Sequence, residues 1–211
     1  LNMPIDENTD YFMDANDFFE LLDSKSNSIL MENEILRDEI FPLLLNYVPK
    51  HAKIIYFDFD AWLRTYSTFH NFDQKIILIN PNSMNLEQSL LSFISWTVPS
   101  FDLLILDSLT TLYQMLDKSS NHTLANQKFG YYFAHIINLV NRINAKIFIS
   151  SFPIKKNNYP WYKNYLGSKL MKNMIDNIVI MDYKNTLVHC EVIQTIKPMS
   201  RMDFCLRINS P

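Results

Sequence analysis

A chain of 211 residues that is 48% hydrophobic can bury a core without disulfides or metals, and its many Leu, Ile, Phe, Tyr and Val residues exclude a disordered chain. Two cysteines, Cys190 and Cys205, exclude a disulfide framework or a zinc site and fit a reducing compartment. The formal charge of −3 is unevenly spread: residues 1–40 carry eleven acidic side chains against Lys25 and Arg37, whereas Lys146–Lys172 holds six lysines and no acid.

Apolar runs of about five to seven residues fall far short of the roughly 20 that span a bilayer, and no basic-then-apolar segment opens the chain. The expectation is one domain over residues 1–211, with residues 1–8 loose, in a protein that is soluble and cytoplasmic, or nuclear in a eukaryote.

In chain order, Asp10–Leu22 predicts a short helix with Phe18, Leu21 and Leu22 on one side, and Ser28–Met31 is a short apolar piece. Leu36, Ile40, Leu43, Leu44 and Tyr47 recur at helical spacing. Pro42 is tolerable only in a first turn, which places that helix start near Asp38, a good N-cap residue. Lys53–Phe59 reads as a buried strand, followed by a helix from Asp60 and a second strand at Ile76–Asn80. Leu86, Leu90, Phe93 and Ile94 give an amphipathic helix, and Phe101–Asp107 a third strand. The longest helix carries Phe129, Tyr132, Phe133, Ile136, Ile137, Val140 and Ile143. Ala145–Ser151 is a fourth strand. Three short strands close the chain around Ile178–Asp182, Leu187–Ile196 and Asp203–Ile208, with antiparallel pairing expected. Continuous apolar strands alternating with helices predict an α/β domain of three layers built on a mixed sheet.

Taken together, these segments resemble the RecA-type recombinase core, most closely the archaeal RadA/RadB and KaiC-like group. Tyr56-Phe57-Asp58-Phe59-Asp60 is similar to the strand ending in that family's Tyr-Ile-Asp-Thr-Glu. Phe101-Asp102-Leu103-Leu104-Ile105-Leu106-Asp107-Ser108-Leu109-Thr110 resembles its Walker B strand, Val-Val-Val-Asp-Ser-Leu-Thr. Leu166-Gly167-Ser168-Lys169-Leu170 is similar to the Gly-Gly-x-x-Leu after the second DNA-binding loop, and Ile175-Asp176-Asn177 to the strand entry beyond it. The resemblance implies a RecA-like domain with a mostly parallel sheet and antiparallel C-terminal strands.

One departure dominates. The family's Gly-x-x-x-x-Gly-Lys-Thr should fall between the strand at Ser28 and the helix at Ile40, where this chain reads Met31-Glu32-Asn33-Glu34-Ile35-Leu36-Arg37-Asp38. The length is about right, but the chain's two glycines, Gly130 and Gly167, lie elsewhere. A phosphate cradle needs converging N–H groups at positions a Cβ would obstruct. The resemblance puts Arg37 roughly at the Lys position, Asp38 at the Mg²⁺-binding Thr and Asp60 at the water-activating carboxylate. With Asp107 they make a vestigial nucleotide site in which Asp38 caps the helix as its own anion. That implies no catalysis and no cofactor. Asp107, lacking a phosphate loop to serve, is expected to cap the helix that follows it.

A basic-aromatic stretch sits where the family has its second DNA-binding loop: Lys155, Lys156, Tyr159, Trp161, Tyr162 and Lys163, leading to Lys169 and Lys172. Lysines neutralise phosphates and aromatic faces stack on bases without reading sequence, which suits single-stranded DNA. Trp and Tyr are also favoured anchors in protein interfaces. The five histidines show no metal-ligand spacing. The expectation is a RadB-like recombinase paralogue that binds single-stranded DNA, a recombinase or another RecA-fold partner, and no membrane. The alternative is a KaiC-like pseudo-ATPase acting purely through protein contacts.

Overall fold

The computed structural model describes residues 11–66, 74–95, 100–153, 168–184, 186–199 and 202–208. The elements in order are β1 (Phe12–Asp14), α1 (Ala15–Leu21), β2 (Ser26–Met31), α2 (Glu34–Tyr47), β3 (Lys53–Asp58), α3 (Trp62–Tyr66), β4 (Lys75–Ile79) and α4 (Leu86–Ile94). They continue with β5 (Leu103–Asp107), α5 (Leu109–Ser119), α6 (His122–Ile143), β6 (Lys146–Ser151), α7 (Ser168–Met174), β7 (Asn177–Lys184), β8 (Leu187–Gln194) and β9 (Asp203–Arg207). Nine strands form one sheet in the order β1-β9-β8-β7-β2-β6-β5-β3-β4. Strand β8 is antiparallel to both β7 and β9, and all other pairs are parallel.

The central strands are apolar along their whole length because both of their faces are covered. Leu30, Leu104, Leu106, Ile147 and Ile149 point to one face and pack under α4, α5, α6 and α7. Their neighbours Ile29, Met31, Ile105 and Phe148 point to the other, under α1, α2 and α3. Period-two alternation thus feeds two cores from one set of strands, giving three layers.

With glycine so scarce, asparagine does part of its work. Helix α6 stops at Asn144 in the left-handed conformation (φ 59°), a position glycine usually fills. Asn177, fully buried where β7 begins beside β2, donates to Leu21 O, Ser24 Oγ and Asn27 Oδ1, closing the polar seam at that end of the sheet.

Three sequence expectations change. The predicted helix over Asp10–Leu22 is an edge strand followed by a shorter helix, because Asp14 accepts from Asp17 N–H at 2.9 Å and starts α1 there. Helix α7 was not foreseen, and α5, expected only as an unbounded helix after Asp107, spans Leu109–Ser119. Helix α2 begins four residues before Asp38, so Pro42 lies in its interior rather than its first turn. There Pro42 leaves the Asp38 carbonyl without its usual helical donor. An interior proline costs about 3 kcal/mol, of which the stiffer unfolded chain returns up to about 1. Replacing Pro42 with Ala is expected to stabilise the protein by about 2 kcal/mol in urea unfolding.

Candidate functional site

The carboxyl ends of β2, β3, β5 and β6 open on one edge of the sheet, the usual place for a ligand in a parallel α/β fold. Strand β2 ends at Met31 and α2 starts at Glu34, so just Glu32 and Asn33 connect them. Asn33 is extended and its Oδ1 accepts from Ile35 N–H at 3.1 Å and Leu36 N–H at 3.3 Å. The helix start therefore has a neutral side-chain cap of its own. This corrects the placing of Asp38 as the capping anion, and with it the loop expected over Met31–Asp38.

One turn into α2, Arg37 points inward and is 4% exposed. Its guanidinium lies 3.1 Å from Asp60, 3.5 Å from Asp107 and 3.7 Å from Glu34. The rings of Trp62 and Phe152 flank it at 5.7 and 5.2 Å. Burial works against its charge, but Asp107 and then Asp60 outweigh burial and hold its pKa above the ordinary value. Arg37 Nε is buried without a hydrogen-bond partner.

Asp107 is fully buried. Its oxygens accept from the Tyr56 hydroxyl at 2.7 Å and the Ser150 hydroxyl at 2.5 Å. It does not cap α5. Ser108 does so, accepting from Thr111 N–H at 3.3 Å, because the Asp107 side chain is turned into the sheet toward Arg37. Burial pushes Asp107 up to about 6, against the opposing pull of Arg37, Ser150 and Tyr56. Burial and the adjacent carboxylate push the Tyr56 phenol well above its ordinary value, so it remains a donor.

The β3–α3 turn completes the cluster. Ala61 is held at φ 58°, a strained conformation for a residue with a Cβ. The buried Asp58 carboxylate pins the turn by accepting from Trp62 N–H at 2.7 Å and Arg64 N–H at 2.9 Å. The turn in turn aims Asp60 at Arg37, and the Thr111 hydroxyl donates to the other Asp60 oxygen. Trp62 Nε1–H donates to Asp38 at 2.5 Å, so Asp38 buttresses α3 from the surface of α2.

Of the residues singled out in sequence, Arg37, Asp60 and Asp107 meet directly and Asp38 joins them through Trp62. Lys155, Lys156, Tyr159, Trp161, Tyr162 and Lys163 lie outside the described residues. Lys169 and Lys172 fall on α7, where Lys172 is exposed. Sequence reasoning missed Tyr56, Ser150, Thr111, Trp62 and Asn33. The available signal was the period-two alternation that puts Tyr56 and Asp58 on one face of β3.

Removing one partner of a buried ion pair strands the other, at a cost of about 3–5 kcal/mol. Arg37→Met is expected to lose about that much stability in urea unfolding, and adding Asp107→Asn to recover more than half of it. A pH dependence follows from Asp107. Its folded pKa lies above the ordinary 3.8, so its stabilising contribution is complete below the unfolded value and is lost as pH rises through about 6. The stability of the wild type relative to Asp107→Asn should therefore fall by about 1 kcal/mol between about pH 5 and about pH 7.5 in paired urea titrations.

No protein-family model matches the chain, and no curated protein sequence matches it. Solved structures do. A RadB recombinase superposes with a TM-score of 0.63 at 12% identity, covering 86% of this chain and 88% of that one. A KaiC-like protein from the hyperthermophilic archaeon Pyrococcus horikoshii OT3 superposes with a TM-score of 0.55 at 8% identity, covering 86% and 84%. At such identities the likeness is one of architecture, and on that ground the chain has the RecA-like α/β fold.

Proposed function

We propose that this protein is a non-catalytic, RadB-like recombinase paralogue. It assists homologous recombination or DNA repair by binding single-stranded DNA, a RecA-fold recombinase, or both, without hydrolysing ATP. The observation that carries the non-catalytic part is the two-residue link between β2 and α2. A RecA-like fold implies ATP and Mg²⁺ at the carboxyl end of this sheet, and the residues here do not fit them. A phosphate loop needs several backbone N–H groups curving around an anion. Here the chain passes directly from strand to helix, and Asn33 takes the Ile35 and Leu36 N–H groups.

Charge argues the same way. Arg37, on the first turn of α2, is committed to Asp60 and Asp107. Glu34 and Asp38 are exposed around it. Repulsion between such carboxylates and a triphosphate is about 1 kcal/mol per pair in water and several times that in a partly dry pocket.

The DNA-binding part rests on sequence and on fold. Five lysines and no acid between Lys155 and Lys172, interleaved with Tyr159, Trp161 and Tyr162, are a sequence suited to phosphates and unpaired bases. The last of them, Lys172, is exposed on α7. The likeness to a RadB recombinase supports recombination as the setting, by analogy of fold.

The test is fluorescence anisotropy of labelled single-stranded DNA, with and without ATP–Mg²⁺, at about 50 and about 200 mM salt. Binding about tenfold weaker at the higher salt and indifferent to ATP is the expected result. The triple change Lys155→Glu, Lys156→Glu and Lys163→Glu should abolish it. Binding that requires ATP would overturn the closed site. Absence of binding at low salt would replace the DNA role with that of a KaiC-like module acting through protein contacts alone.

A further inference from the structure

At the opposite end of the sheet from Arg37, the amino ends of β3, β5 and β6 meet the carboxyl ends of α1 and α2 around a cavity of about 240 Å³. We propose that this cavity is a binding site for an uncharged, planar heteroaromatic molecule of about two fused rings. It shares no residue with the Arg37 cluster and is independent of the role proposed above.

Size and walls set the body of the ligand. Leu22, Leu44, Leu103 and Phe148 line the cavity and are buried apolar side chains. Phe19 and Tyr47 add aromatic surface, stacked on each other at 5.3 Å and 29°. Flat aromatic faces favour a flat guest. A dry apolar cavity of about 150 Å³ takes up benzene, so about 240 Å³ suits two fused rings.

The rim sets the charge and the polar edge. Lys146 is ion-paired with Asp23, so these two charges at the rim already neutralise each other. A charged guest would give up its water for apolar walls, and the Asp102 carboxylate that also lines the cavity is exposed to solvent, where an ion pair returns little. Hydrogen-bonding capacity remains at the mouth. The Asp102 carboxylate is exposed and fixed by Lys53 N–H at 2.8 Å, and the His51 imidazole is exposed beside it. A few fixed polar groups around an apolar cavity orient a ring whose own edge carries nitrogen or oxygen.

The experiment is a ¹H–¹⁵N correlation titration of the full chain with benzimidazole, neutral at pH 7.5, alongside benzoate and benzamidine as charged counterparts. The expected result is saturable shifts at the amides of Tyr47, Ala52 and Leu103, with both charged probes at least about tenfold weaker. Leu44→Trp fills the cavity and should weaken benzimidazole at least about tenfold. Val48→Trp narrows the mouth from a half-buried position and should do the same if Leu44→Trp does not fold. Absence of saturable shifts, or shifts unchanged in a folded Trp variant, overturns the site. Equal binding of benzoate or benzamidine overturns the assignment of an uncharged ligand.

Discussion

A guanidinium taken out of water must be answered by carboxylates held at fixed positions, and much of this sheet's upper edge is arranged to do so. Arg37 belongs to α2, Asp107 to β5 and Asp60 to the turn after β3. The desolvation cost of such a cluster is repaid only when the remaining lone pairs are also met. Tyr56 from β3 and Ser150 from β6 meet those of Asp107, and Thr111 from α5 meets Asp60. One buried cation therefore ties a helix on one face of the sheet to three adjacent strands and to a helix on the other face.

Helix α2 links the two ends of the molecule. Its first turns carry the Asn33 cap and Arg37, while its last turns present Leu44 and Tyr47 to the cavity at the far end of the strands. Between them Leu36, Ile40, Phe41 and Leu45 are fully buried against the sheet. The upper end is lined by charged side chains and the lower end by apolar ones.

Much of the architecture was legible because its signals are local. Continuous apolar runs such as Leu103–Leu106 specify doubly covered strands, and the spacing of Phe129, Phe133, Ile136 and Val140 specifies a long helix. Clustering of Arg37, Asp60 and Asp107 was legible through the order of segments. The start of α2 was not, because Pro42 argued for a late start. Asn33 caps the helix early, and burial of Leu36, Ile40 and Phe41 outweighs the lost backbone bond. The role of Asp107 was misread because an Asp before a helix is ambiguous until its partners are known. Tyr56 and Ser150 come from strands whose neighbours in the sheet no local pattern reveals.

The short passage from β2 to α2 also bears on phosphate binding through the path of the backbone. Restoring glycine at any single position from Glu32 to Asp38 would change a side chain but not the path of the backbone, which is already helical from Glu34. A phosphate-binding turn would require the first turn of α2 to unwind, or new residues to enter the connection. It would also require the Arg37 side chain to leave its carboxylates. On the proposed reading, what separates this connection from a phosphate-binding turn is chain path as well as residue identity.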